Sequence, residues 1–437
     1  MKTRKYLSAS GLFGLVHSGF KKITDHRCAS MVKIALPDVL MSAFAMFSLK
    51  DSSLLTFDKR RKKKGGSLEQ VYGIEQVPCD TQMRSTLDDV DPEEVKPLFK
   101  DVFGQIQRGK VLEKFVFMDG YYLLSLDGTG YFSSKKVHCA SCLEKKHKTG
   151  EVTYYHQMMG GAIVHPDHKE VIPLVPEPIV KQDGETKNDC ERNAAKRFLN
   201  QFRKDHPHLR VIVLEDSLSP NAPHIRELER HDLRYILSVK EGDHAFLFNY
   251  IATAHQKGET TEVEYHGLGG VQHQYRFLNR VPLNKSNQDI LVNFVEYRQV
   301  KGDEIVKRFR KVTDFTVTTK NVRQIMRGGR AYWKIENETF NTLKNQGYHF
   351  EHNYGHGKNN LSVVFALLMV LAFLVDQTQQ MACRLFQAVL EKEGSRKDLW
   401  EHMRSLFYSL KFNSMEDIYK ALLYGYEVKE VVIFDGY

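Results

Sequence analysis

Tryptophan is almost missing from this chain, with only Trp333 and Trp400 among 437 residues. Cysteine is sparse too: six residues are too few for a scaffold held together by disulfides. Glycine (29) and proline (12) form no periodic or low-complexity tract, which excludes collagen-like and mucin-like chains. No apolar stretch reaches the roughly 18–20 residues of a membrane span. The longest, Leu361 to Val375, runs straight into Asp376-Gln377 and reads as a helix buried in protein. MKTRKYLSAS lacks a long apolar run ending in a small-residue cleavage site, so no secretion signal is expected. The expected location is cytoplasmic.

What is present is an ordinary globular mixture, 42% hydrophobic and 27% charged, with a basic excess. The 63 Lys plus Arg outnumber the 54 Asp plus Glu, for a net charge of +9. Such an excess points toward a polyanionic partner, nucleic acid first, with a merely basic soluble enzyme as the alternative. The length predicts several domains.

The pattern changes along the chain. Residues 1–110 read as a helical, DNA-binding domain. MVKIALPDVLMSAFAMFSL (31–49) has Pro37 near a helix start, and Met83, Leu87 and Val90 recur at helical spacing after the capping pair Asp80-Thr81. Between these helices lies Lys59-Arg60-Arg61-Lys62-Lys63-Lys64, either a solvated loop or an arm that neutralises phosphates. From residue 111 the chain turns β-rich. KFVFMDGYYLLSLDGTG (114–130) holds two strand-like runs around Asp119-Gly120, and further strands are predicted at 153–166 and 170–176. A helix is predicted over 186–206, capped by Thr186, and LRVIVLED (209–216) is a continuous apolar run suited to a central strand. A helix to about His231 and a strand at 233–240 follow.

Three strands, helix, strand, helix, strand is the order of a ribonuclease-H-like α/β core, a mixed sheet flanked by helices. Its first part is expected at 111–245. An all-β insertion is expected at 246–317, and the second part of the core with C-terminal helices at 318–437.

Three acids stand at telling places. Asp127 precedes Gly128-Thr129-Gly130 and is expected to end a strand, Asp216 closes the apolar run, and Glu336 lies on a downstream helix. Taken singly they could be a turn residue, a helix cap and a solvated helix residue. Together, three carboxylates in one cleft repel unless cations neutralise them. Hard oxygen donors suit Mg²⁺, and two ions about 4 Å apart serve phosphodiester cleavage and strand transfer.

LDGTGYFSS around Asp127, VIVLEDSLSPNAPHI around Asp216 and GRAYWKIENETFNTLK around Glu336 resemble the motifs of bacterial insertion-sequence DDE transposases. The likeness is greatest to the insertion-sequence-four group, whose catalytic core carries a β-insertion. It covers about residues 75–375. It implies that Asp127, Asp216 and Glu336 hold two Mg²⁺ ions, with Mn²⁺ as a substitute. It also implies cleavage at element ends and joining of the 3′-hydroxyl ends to target DNA. The implied partners are double-stranded DNA and a second copy of the chain in the DNA complex, with the protein at the nucleoid. Lys240, Arg327, Arg330 and Lys344 are expected to hold the DNA backbone. The third motif departs from the group's pattern. Arg330 precedes Tyr332, Lys344 stands eight residues after Glu336, and Glu338 rivals Glu336 as third ligand. With no Trp in the insertion, Tyr265, Tyr275 and Tyr297 are the aromatic stand-ins. An inactive or domesticated DNA-binding relative and a host nuclease with the same core stay open as alternatives.

Cys139 and Cys142 form a C-x₂-C pair followed by His147 and His156, a reasonable Cys₂His₂ zinc set. Two reduced thiols on a loop are the other reading.

Overall fold

The structure, a computed structural model, describes residues 5–61, 67–181 and 189–426. The chain divides into two compact units: one joins Met1–Val111 to Leu343–Tyr437, and the other is the continuous stretch Leu112–Thr342.

The first unit is helical and corrects the boundaries expected at the C-terminal end. Residues from 343 onward belong with the N-terminal helices, not with the sheet. The reason lies in the Leu361–Ala382 helix, which runs seven residues past Val375. Among the described residues it is the one helix long and apolar enough to cross a membrane, yet 94% of its most apolar window is buried inside the protein. A helix apolar on every side needs protein on every side. Leu36–Ser48, Asp80–Asp88, Pro92–Val95 and Pro97–Arg108 supply it. The Asp88 carboxylate caps the long helix, accepting the N–H groups of Lys358, Asn359, Asn360 and Leu361 at 2.9–3.1 Å. Farther along, the buried Asp376 meets Lys50 Nζ at 2.5 Å and the Tyr348 hydroxyl at 2.6 Å. Lys50 also sits over the Trp400 ring at 3.7 Å.

The second unit carries eleven strands. They are β1 (Tyr122–Ser134), β2 (Leu143–Lys146), β3 (Val152–Val164), β4 (Ile172–Pro173), β5 (Glu177–Ile179), β6 (Val211–Glu215), β7 (Arg234–Ser238), β8 (Thr261–His266), β9 (Val271–Asn284), β10 (Asn287–Lys301) and β11 (Glu304–Thr313). They form one mixed sheet in the order β2-β3-β1-β6-β7-β11-β10-β9-β8, with β4 and β5 also paired to β3. β1–β6 and β6–β7 are parallel; the other pairs are antiparallel. All five residues of β6 are buried, as its unbroken apolar run requires.

Three local expectations change. The predicted 186–206 helix spans Glu191–Asp205 with Cys190 at its N-cap; Thr186 lies outside the described residues. The stretch expected to be all-β from 246 begins with a helix, Ala245–Gln256, because Leu247, Ile251 and Ala254 fall on one buried face. The strands after it are not a separate sheet: β11 pairs with β7 and extends the same one.

Candidate active site

Asp127 does not end its strand. β1 runs on to Ser134, with its register slipping between Gly130 and Phe132. Its pairing with β6 stops earlier, however, at Ser125–Leu214. The same parallel register, continued two residues, sets Asp127 beside Asp216, the residue after β6. Both acids line one cavity of about 690 Å³, together with Asp189, Glu191, Glu215 and His224.

Glu191 reads from the sequence, with Lys187 and Asp189, as a charge opening a helix near the sheet end, solvated by default or supporting the site. It opens the Glu191–Asp205 helix and reaches Gly128, where an added Cβ would collide with its carboxylate. Glycine at 128 is what lets Glu191 approach Asp127. The electrostatics follow from this crowding. Burial pushes the Asp127 carboxyl up to about 6, and the charges of Asp216 and Glu191 add to the rise. The Gly128 N–H, 2.9 Å away, and the Tyr332 hydroxyl pull the other way. Glu191 is raised by burial and by Asp216. Tyr332 is raised by burial and by the charges of Asp127 and Asp216, and its hydroxyl bonds Asp127. Its backbone is fixed to β1, since Ser125 Oγ donates to the Tyr332 carbonyl at 3.1 Å. Beside the cavity's acids, Glu215 and His224 form a buried pair at 2.5 Å. Burial lowers the His224 pKa, but the Glu215 charge and hydrogen bond outweigh it and leave the imidazole raised.

Glu336 is placed differently from the two aspartates. It is exposed on a π-helical turn, Ile335–Phe340, and is not among the cavity's lining residues. The turn itself packs on the sheet at the right level. Phe340 lies against Gly160, the β3 residue opposite Asp127, and a Cβ there would come within 2.7 Å of its ring. Wide turns of this kind recur at functional sites. Glu338, four residues past Lys334, is half-buried.

The donor set in the cavity fits a hard divalent cation. Carboxylates held close together, two of them (Asp127 and Glu191) with raised pKa values, lack the positive charge that would let all of them ionise.

The basic residues divide. Lys62, Lys63 and Lys64 lie outside the described residues. Lys59 is exposed, but Arg60 pairs with Asp51 at 3.2 Å and lies over the Tyr408 ring, and Arg61 pairs with Asp58 at 2.8 Å. Lys344 pairs with Glu351 at 2.9 Å within the helical unit, and Lys240 is exposed after β7. Arg327 pairs with Asp167. Arg327 and Arg330 also line a second cavity, of about 580 Å³, with His273, Tyr275, Tyr297, Lys320 and Arg323. Its aromatics interlock: Tyr275 and Tyr297 have ring centroids 5.0 Å apart, and Tyr265 sits 5.8 Å from Tyr275 and under Arg323. Arginines and tyrosines in one hollow suit a nucleic-acid backbone and its bases.

Lys311 was hidden in the basic run KRFRKVT. It is buried at the inner end of β11, where Nζ donates to Ser238 Oγ at 2.7 Å. Burial and Arg330 lower its pKa to about 8, with Asp216 acting in the opposite sense.

The expected cysteine–histidine set is brought together in part. Cys139, Cys142 and His156 converge, with their sulfur and Nε2 atoms 3.4–3.8 Å apart, and form a cluster able to hold a metal. His147 is not part of it: its Nε2 bonds Thr153 Oγ1 at 2.9 Å. His147 belongs to the turn before β3 (Gly150 N–H donates to its carbonyl), whereas His156 is buried within β3.

No protein-family model matches the chain, and no curated protein matches it significantly, so its function rests on the geometry of its sites.

Proposed function

We propose that the chain is a DDE transposase with a ribonuclease-H-like core and a β-insertion. On this reading it cleaves DNA at element ends and transfers the 3′-hydroxyl ends to target DNA. The observation that carries the reading is the meeting of Asp127, on β1 just past its parallel pairing with β6, and Asp216, the residue after β6, in one cavity whose crowded acids call for cations. The strand order supports it as well. With β2 set aside, the third strand, second, first, fourth and fifth lie in sequence as β4/β5-β3-β1-β6-β7, and β8–β11 follow where an insertion belongs.

Asp127 and Asp216 would hold two Mg²⁺ ions, with Glu336 the third ligand that the resemblance implies; bound there, the ions would polarise the scissile phosphate and activate the attacking oxygen. The chain's own groups do the rest. Tyr332 orients the Asp127 carboxylate through its hydroxyl. Glu191 adds negative charge that the cations neutralise. Lys311, which feels both Arg330 and Asp216, sets positive charge near Asp216. The Tyr275–Tyr297–Arg323–Arg330 hollow is suited to holding the DNA backbone and a base beside the site.

The test uses purified protein, Mg²⁺ and DNA from the gene's flanks carrying inverted repeats. Metal-dependent cuts at the repeat edges, followed by joined products and abolished in Asp127→Ala, support the reading. Cuts that survive that substitution refute it. The exposed position of Glu336 favours a second reading, a relative that binds DNA without cutting it. Retarded DNA with no cuts in Mg²⁺ or Mn²⁺ would select that one. Comparing Glu191→Gln, Glu336→Gln and Glu338→Gln identifies the third essential carboxylate.

A further inference from the structure

We infer that Cys139, Cys142 and His156 bind a zinc ion that staples the outer end of the β1–β3 ladder, a role apart from the cleavage site. The argument is geometric. A tetrahedral zinc, with Zn–S about 2.3 Å and Zn–N about 2.05 Å, holds two sulfurs about 3.8 Å apart and each sulfur about 3.6 Å from the nitrogen. Here the sulfurs are 3.8 Å apart, and His156 Nε2 stands 3.5 Å from Cys139 Sγ and 3.4 Å from Cys142 Sγ. All three distances fit one central ion. The sulfur separation is nearly twice the roughly 2.05 Å of a disulfide, so an S–S bond does not explain the approach.

The surroundings are built to hold these donors in place. The C-x₂-C turn closes on itself: Cys142 N–H donates to the Cys139 carbonyl at 3.2 Å, and Cys139 N–H donates to Cys142 Sγ at 3.4 Å. Backbone N–H donation to sulfur stabilises a thiolate. His156 is fully buried in β3, and its ring lies between Tyr131 and Phe132, with centroids 5.7 and 5.8 Å away. Packing therefore sets the imidazole plane. Placing an imidazole and a thiol in the interior costs free energy unless something there repays the lost hydration, and a metal does so.

The three donors occupy three vertices of the tetrahedron. The position in the fold gives the site its role. His156 is the β3 partner of Phe132, where the β1 register slips, and Asp127 lies five residues back on the same strand. Zinc would pin the excursion between β1 and β3 and keep the slipped end of β1 in one register.

The test measures metal in purified full-length protein, without DNA, so its outcome is independent of any cleavage activity. The expected results are about one zinc per chain, retained through brief chelation, and a thiolate-to-cobalt charge-transfer band of two-sulfur intensity after Co²⁺ exchange. Cys142→Ser should drop zinc at least tenfold, while His147→Ala should keep all of it. Wild-type protein that holds no zinc and gives no such band with Co²⁺ would overturn the inference even if Cys142→Ser fails to fold. So would stoichiometric zinc in Cys142→Ser, or loss of zinc in His147→Ala.

Discussion

Replacing Asp127 by asparagine should stabilise the metal-free protein while removing its activity. Asp127 is half-buried and its carboxyl is raised from 3.8 to about 6. Holding this carboxyl ionised at neutral pH therefore costs up to about 3 kcal/mol. Asparagine keeps the shape and an oxygen for the Gly128 N–H, but carries no charge. For a unit of this size, about 3 kcal/mol corresponds to a rise in Tm of roughly 6–12 °C, less whatever the Tyr332 contact loses. The pH dependence has a definite sign. A carboxylate raised on folding stabilises the protein where it is protonated, and that benefit disappears as pH rises through the folded pKa. The advantage of Asp127→Asn should therefore be absent below about pH 4, grow between 4 and 6, and stay constant above. The assay is thermal unfolding in EDTA across that range, repeated with Mg²⁺. Mg²⁺ should raise the Tm of the wild type and much less that of the variant. Equal, pH-independent melting of the two proteins in EDTA would refute the crowding argument. Equal stabilisation by Mg²⁺ would refute the assignment of the metal to Asp127.

Gly128→Ala puts a methyl group into the Glu191 carboxylate. It should cost about 1–3 kcal/mol and lower the Asp127 pKa slightly, burial remaining its main cause, read by a carboxylate NMR titration; a raised pKa would show that Glu191 does not add to the charge around Asp127. Lys311→Met should stabilise the protein at pH 7 by up to about 3 kcal/mol in urea unfolding, less the lost Ser238 hydrogen bond, because burial lowers the lysine from 10.5 to about 8. A lysine lowered on folding costs stability below the folded pKa and stops doing so above the unfolded one, so the gain should fade between about pH 8 and 10.5. A variant less stable than wild type throughout would contradict this. Arg323→Ala with Arg330→Ala should lower the slope of log affinity against log salt for duplex DNA by about two if both contact phosphates; an unchanged slope would remove the tyrosine–arginine hollow from the DNA interface.

Much of the site was legible because it depends on strands. Val211–Leu214 is apolar without a break, as a central strand requires, so the acid that follows, Asp216, falls at that strand's C-terminal end. The β1–β6 register then does the rest for Asp127. Glu191 was legible only as one of several charges opening a helix near the sheet end. It looks like any solvated charge at a helix start, and its role appears only when that helix folds back on Gly128. The exclusion of His147 turns on local backbone: both histidines follow the C-x₂-C pair, but only His156 is buried in a strand. The membership of residues 343 onward was hidden for another reason. Periodicity shows that Leu361–Ala382 must be enclosed but says nothing about which distant helices enclose it. The helix at Ala245–Gln256 was missed because aromatic and β-branched residues in AFLFNYIATAHQ mimic a strand in composition while spacing as a helix.

The two-part helical unit also imposes an order on synthesis. Lys50 must wait for Asp376, 326 residues later, before its charge is neutralised. At about 5–20 residues per second, that is a delay of roughly 15–65 s. During it the continuous Leu112–Thr342 stretch can complete its own core, since both ends of every strand pair are already made. The Leu36–Ser48 helix, in which all but Pro37 end up buried, has no such option. Earlier helices, Ala9–Phe20, Ser67–Tyr72 and Asp80–Asp88, can cover part of it, but the face that meets Leu361–Ala382 stays open on the ribosome for the whole interval. Nascent chains of this protein should therefore recruit chaperones at their oldest segment, not their newest.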